Sequence, residues 1–166
     1  MTYAVRAATP EDVPILVEAR RMMFAELYEA DPADVALVDV PMAEWMAPRM
    51  PEARALGFIA EDEAGYWHGA LSVARDEVAP SLGNPSGLQD YLFGLWVRPE
   101  SRRQGIAEAL VSAAIEVAER DGVGAVTLLA TDAGKPLYEK LGFGTATFMR
   151  RLLAPLPIRE ERRGRT

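Results

Sequence analysis

Arg102-Arg103-Gln104-Gly105-Ile106-Ala107 stands between an apolar run that closes at Arg98-Pro99 and a stretch with helical spacing. A turn of this kind at a helix start aims several backbone N–H groups at one spot, where the positive end of the helix dipole adds to them. The segment therefore reads as an anion cradle suited to phosphate. Gly105 keeps a Cβ from pushing ligand oxygens off the backbone, and Ala107 keeps the first helical turn slim. Arg102 and Arg103 are placed to neutralise charge at the rim. Alone, so short a pattern also fits a solvated loop with ordinary surface arginines. Its surroundings decide.

Downstream, Leu137-Tyr138-Glu139-Lys140-Leu141-Gly142-Phe143 follows a second apolar run, Ala125 to Ala130. Gly142 fits the position just past a helix end, with Phe143 restarting a strand. The order strand, RRQGIA turn, helix, strand, LYEKLGF helix end resembles the GNAT superfamily of N-acetyltransferases. The motifs carry the likeness over residues 88 to 150, while residues 1 to 80 share only the order of elements. The resemblance implies acetyl-CoA as cosubstrate, held by Arg102, Arg103, Gln104, Gly105, Ile106 and Ala107. It also implies an α/β fold, α+β by another convention: a mixed, mostly antiparallel central sheet flanked by helices, with a parallel pair formed by the strands before and after the cradle helix.

The rest of the chain fits that order. Tyr3 to Ala7 reads as a strand, and Thr9-Pro10-Glu11-Asp12 as a helix start with N-cap, proline at N1 and an acid at N3. Leu16, Ala19, Met23 and Leu27 keep helical spacing to about Tyr28, and Asp31-Pro32 ends the helix. Met42 to Ala53 predicts another helix. Leu56 to Glu61 and Tyr66 to Val78 predict a hairpin, Pro80 to Gly87 a loop, and Leu88 to Val97 the central strand. Ala107, Leu110, Val111, Ala114 and Ala118 form the apolar face of the cradle helix, which Asp121-Gly122 closes. Phe143 to Leu153 is expected to be a closing strand. A single domain is thus expected over residues 1–153, followed by a charged tail at 154–166.

Composition narrows the chemistry. At 166 residues, 49% hydrophobic and 26% charged, the chain suits one compact core. It has no cysteine and one histidine, His68, so disulfides, thiolate chemistry and a multi-histidine metal site are closed to it and no metal is expected. Nothing resembles a membrane span or an export signal, which predicts a cytoplasmic protein without a membrane partner. A net charge of -7 argues against nucleic acid as a partner. Against that acidic background Arg98, Arg102 and Arg103 read as a local positive cluster that could steer a polyanion.

The resemblance implies direct attack of an amine on the acetyl thioester, with a small-molecule or peptide amine as acceptor. A lysine-like amine, of pKa about 10.4, is neutral in only about one molecule in 2500 at pH 7. Relatives often supply an acid near the central strand, yet residues 91 to 97 contain none. Asp90 is the first remaining candidate base, then Glu77 or Asp76, then Glu26; for each, an ordinary solvated carboxylate is the plainer account. His68 is read as exposed or packed rather than catalytic. Backbone groups of Trp96 and Val97 are candidates for the oxyanion and pantetheine contacts, with Gly94 compatible with a bulge. Thr131 corresponds to a polar pantetheine contact or caps the next helix, and Tyr138 matches the family's tyrosine that donates to the departing thiolate. Trp45, Met42, Met46, Tyr28 and Phe24 could line an acceptor pocket, although their spacing equally makes core. Alternatives are a non-catalytic acetyl-CoA sensor and a protein lysine or N-terminal acetyltransferase. Many relatives form homodimers, and the closing strand and tail could supply that contact.

Overall fold

In the computed structural model, which describes residues 2–153, strand β1 (Ala4–Ala7) leads through one 3-10 turn, Pro10–Asp12, into helix α1 (Val13–Leu27). The Asp12 carboxylate starts the turn by accepting from the Thr9 N–H at 2.8 Å, and Arg6 of β1 donates to its two oxygens at 2.6 and 2.9 Å. Asp31-Pro32 ends this run as expected but also begins a helix that the sequence did not suggest, α2 (Pro32–Val35), whose Ala33 N–H is capped by Asp31 at 2.8 Å. Helix α3 spans Asp39–Arg49 rather than 42–53. Pro41 falls in its first turn, where a missing N–H costs nothing, and Pro48 is carried inside the helix, while Pro51, which has no N–H to continue the ladder, and the left-handed Ala53 (φ 54°) keep it from reaching residue 53.

The remaining strands are β2 (Ala55–Glu61), β3 (Trp67–Glu77), β4 (Leu88–Val97) and β5 (Ala125–Leu128), with α4 (Ile106–Arg120) between β4 and β5 and α5 (Lys135–Lys140) after them. The sheet order is β1-β2-β3-β4-β5, antiparallel throughout except for the parallel β4–β5 pair. Alternation sorts the strand residues between two cores. Ile59, Trp67, Ala70 and Trp96 meet Val13, Leu16, Val17, Met42 and Met46 of α1 and α3 on one face. Phe58, Leu71, Val73, Leu92 and Val97 meet Ile106, Leu110, Val111 and Ala114 of α4 on the other.

One defect breaks this alternation. Ala70 pairs with Trp96 and Ser72 with Phe93, so Gly94 and Leu95 together oppose the single residue Leu71. Gly94 takes φ 66°, a left-handed conformation that glycine reaches without steric cost. The extra residue shifts the pleat by one, so Phe93 and Trp96, three apart, both face α1 and α3.

Two expectations at the C-terminal side are corrected. β5 stops at Leu128, short of Ala130, and Phe143 to Leu153 forms no strand. The doublets Phe148-Met149, Arg150-Arg151 and Leu152-Leu153 break a period of two, so no face of that segment is consistently apolar, and Phe148 and Met149 stand exposed. The expected tail at 154–166 lies outside the described residues. Among the described residues no helix is long and apolar enough to cross a membrane.

The contact that ties β1 to the start of α1 is acid-sensitive. Its hydrogen bonds to Arg6 hold the Asp12 carboxyl down at about 2, below the ordinary aspartate value of about 3.9. A lowered folded-state pKa contributes stability in full above about pH 4 and loses it as pH falls toward 2. The melting temperature of Asp12→Asn is therefore expected to lie below that of the parent protein at pH 5 to 6, with the gap closing as both are titrated toward pH 2. A gap independent of pH would contradict the assignment.

Candidate active site

Arg103 (φ 63°) and Gly105 (φ 82°) are both left-handed and flank Gln104 at the head of α4. The first amide taken up by the helix is that of Ala109, which donates to the Gly105 carbonyl at 3.0 Å. Among the described residues the preceding amides, from Arg103 to Glu108, meet no protein acceptor. An ordinary helix start leaves about four orphan donors. Here the left-handed pair lengthens the run into a concave nest of the kind that holds anions. A Cβ built on Gly105 would meet only the Tyr3 hydroxyl, at 3.5 Å, so the space in front of it is open. Tyr3 itself donates to the Gln104 carbonyl at 3.2 Å. The nest thus fits the diphosphate of a nucleotide.

The loop is anchored from below. His68 is buried rather than exposed; its Nδ1 lies 2.8 Å from Ser101 Oγ and its Nε2 3.3 Å from Asp62. Ser101, fully buried, immediately precedes Arg102, so this chain of contacts pins the residue from which the cradle springs. His68 therefore positions the loop and faces no open space.

Beside the nest, the sheet opens. The parallel ladder ends with Leu92 opposite Leu128. From Phe93 onward β4 has no neighbour on that side among the described residues. Arg98 N–H donates to the His68 carbonyl at 2.8 Å. Alternation then turns the Trp96 amide toward β3 and the Val97 amide toward the open edge. Of the two expected backbone contacts, only Val97 keeps that orientation. Thr131 Oγ1 accepts from Gly134 N–H at 3.2 Å, a contact within the turn that precedes α5, whose N-cap is Gly134. Tyr138 packs edge-on to Phe143, ring centroids 5.8 Å apart, and its hydroxyl has no hydrogen-bond partner among the described residues. Burial raises its pKa, so the phenol holds its proton at neutral pH.

The expected arginine cluster is not free. Arg98 lies over the Trp67 ring, 3.9 Å from its centroid, and donates to the Trp67 carbonyl at 2.7 Å. Arg102 donates to the Val97 carbonyl at 3.0 Å and to Glu26 at 2.5 Å. Arg103 alone of the three has no partner among the described residues. Glu26 also accepts from Trp96 Nε1 at 2.8 Å, so it bridges α1 and the cradle.

Asp90, the first candidate base, lies inside the fold in an ion pair. It is 1% exposed, and Arg75 donates to both its oxygens at 2.8 Å while also reaching Asp121 at 2.7 Å. Both carboxylate oxygens are thus turned onto Arg75 and away from solvent. Asp76 and Glu77 are exposed at the end of β3 far along the strand from the cradle, and Asp76 lies 3.9 Å from Arg54. Among the described residues no group of three acidic or histidine side chains could hold a metal ion.

On the α1 face, Met42 and Met46 are buried in the core, whereas Phe24, Tyr28 and Trp45 are half-buried. Trp45 meets Phe93 edge-on at 6.0 Å. Arg20 lies against this wall, its guanidinium 4.9 Å from the centre of the Phe24 ring and 4.6 Å from that of Phe93. Sequence reasoning missed Arg20. Its position one turn before Phe24 was legible, but the approach of Phe93 depends on the bulge.

A model of the acetyltransferase (GNAT) family matches residues 24–143. A GCN5-related N-acetyltransferase from Ralstonia eutropha is 26% identical and superposes with a TM-score of 0.83, over 93% of this chain and 100% of that one. A predicted acetyltransferase from Clostridium acetobutylicum, solved with acetyl-CoA, is 21% identical with a TM-score of 0.80, over 91% of this chain and 96% of that one. Glucosamine-6-phosphate N-acetyltransferase from Arabidopsis thaliana shares the fold at 15% identity and a TM-score of 0.69, over 93% and 100%. No curated protein matches the chain.

Removing Asp90 leaves Arg75 partly uncompensated in a buried position, which typically costs about 3 kcal/mol. Asp90→Ala is expected to lower stability by that order in denaturant titration while leaving the turnover of the folded fraction unchanged. A turnover loss of a hundredfold or more in a stably folded variant would return Asp90 to the mechanism.

Proposed function

The chain belongs to the acetyltransferase (GNAT) family, and from that premise we propose that it moves the acetyl group of acetyl-CoA to a primary amine of a small molecule or peptide by direct attack. The observation that carries this is the run of unpartnered amides from Arg103 to Glu108, set beside the open edge of β4. Acetyl-CoA supplies the activated acetyl thioester. The amides at Arg103 to Glu108 bind the diphosphate, with Arg103 adding charge at the rim. The Val97 amide orients the arm at the strand edge and is a donor toward the carbonyl oxygen. The Tyr138 hydroxyl donates a hydrogen bond to the departing sulfur. Its raised pKa makes full transfer to a thiolate of pKa about 8.5 uphill, so stabilisation by hydrogen bonding is the larger part of its role.

With Asp90 engaged by Arg75, no carboxylate of β4 faces the opening. The amine is then drawn from its neutral fraction. That fraction grows tenfold per pH unit below the amine's pKa, so kcat/KM should rise about tenfold per unit from pH 6 to 8. A plateau near neutral pH would reveal a base on the enzyme.

The test is incubation with acetyl-CoA and a broad panel of amines, following free thiol. At least one acceptor is expected, whereas tight CoA binding with silence across the panel would leave only an acetyl-CoA sensor. Gly105→Ala should cost the fold about 1 kcal/mol for its left-handed backbone but weaken acetyl-CoA binding tenfold or more in calorimetry. Unchanged affinity would displace the cradle. Tyr138→Phe should keep acetyl-CoA affinity within a few fold and lower turnover by roughly 10²-fold. Equal turnover at saturating acetyl-CoA would remove Tyr138 from the chemistry.

A further inference from the structure

Arg20 lies half-buried on α1, its aliphatic stem against the bulge of β4: a Cβ built on Gly94 would stand 3.5 Å from Arg20 Cβ. Most other arginines of the folded body meet a carboxylate, among them Arg6, Arg21, Arg75 and Arg102. Arg20 meets neither a carboxylate within 4.0 Å nor any hydrogen-bond acceptor among the described residues. Two ring faces, Phe24 and Phe93, are what its guanidinium has instead. Cation–π contact offsets part of the cost of desolvating a permanently charged group, but it uses none of the five N–H donors.

A second polar group at the same place is also unused. Ser72 is buried, 1% exposed; its Oγ has no hydrogen-bond partner among the described residues and lies 3.8 Å from the same Gly94 Cβ position. Buried polar atoms are ordinarily satisfied. Among the described residues, then, the stem of an arginine that lacks an acceptor and a hydroxyl that lacks a partner both border the bulge next to the edge where transfer would occur, with the guanidinium on the ring of the adjacent Phe93. In a protein of net charge -7 a carboxylate of its own could easily have been placed there.

We propose that Arg20, assisted by Ser72, binds an anionic group of the acceptor, so that the substrate is an amine bearing a carboxylate or a phosphate whose charge is met at the β4 bulge. This rests on the acetyl-transfer function proposed above. A guanidinium pairs bidentately with either oxyanion, and the aromatic wall of Phe24, Phe93 and Trp45 excludes the water that would screen the pair. Fixing the anion there sets the distance at which the amine of the same molecule reaches the open edge of β4.

The experiment compares matched amines: phenylalanine with phenethylamine, and phosphoethanolamine with ethanolamine. Each is titrated calorimetrically into CoA-saturated protein and assayed for thiol release with acetyl-CoA, using the parent protein, Arg20→Met and Arg20→Lys. In at least one pair the anionic member should bind roughly ten- to a hundredfold better than its twin, the range for a charge-assisted hydrogen bond. The pair that responds tells carboxylate from phosphate. Arg20→Met keeps the packing stem and should abolish the preference, while Arg20→Lys should keep part of it. Anionic members no better than their twins in both pairs, or a preference that survives in Arg20→Met, would overturn the proposal. Preference in binding without thiol release would instead defeat the acetyl-transfer function and leave the anion site standing. Turnover without preference would do the reverse.

Discussion

The extra residue at Gly94 is the constraint on which the site depends. A left-handed backbone at φ 66° in mid-strand is cheap only for glycine, and it changes the pleat of β4 from that point on. Upstream, Asp90 and Leu92 lie on the α4 side of the sheet; downstream, Leu95 and Val97 take that side, leaving Phe93 and Trp96 together on the α1 face. Phe93 then supports Arg20, and Trp96 reaches Glu26. The parallel partner β5 gives out at Leu128, opposite the residue two positions before the bulge. One backbone defect therefore shapes both the wall that holds Arg20 and the edge beside the cradle. A side chain at residue 94 would pay left-handed strain, although its Cβ would stand in ordinary contact with the Arg20 stem.

Charge at the cradle comes mainly from the backbone. Arg98 and Arg102 are spent within the protein, on Trp67, Val97 and Glu26. What remains, among the described residues, is the file of free amides at the head of α4 and the Arg103 side chain. Backbone donors held in a fixed turn need no reorganisation when an anion arrives, so they suit a site that must hold a diphosphate in one register. The Arg102–Glu26–Trp96 contact joins that loop to α1, and through α1 to the wall that carries Arg20. The cradle loop and the α1 wall are thereby joined through one carboxylate.

Local signals made most of the fold legible. The strand over Leu88 to Val97, the cradle, the α4 apolar face and the LYEKLGF helix end all follow from short-range chemistry, and the structure contains each of them. Gly94 was visible as a candidate bulge, though its effect on Trp96 required the register with β3. What escaped the sequence is long-range pairing. Nothing near Asp90 announces Arg75, fifteen positions away, and nothing near His68 announces Ser101. Arg102 looked like a rim charge because its carboxylate partner sits on α1. The missing strand over Phe143 to Leu153 was readable in its apolar and basic doublets, which a count of strand-forming residues conceals.

The central claim is that acetyl-CoA occupies the space between the Arg103 to Glu108 amides and the open edge of β4. Hydrogen exchange, measured with and without acetyl-CoA, reads those amides directly. Slowed exchange concentrated at residues 103–108 and at Val97, with β1 and the first turns of α1 unchanged, is the result predicted. Protection that spares 103–108 while acetyl-CoA is demonstrably bound would contradict it.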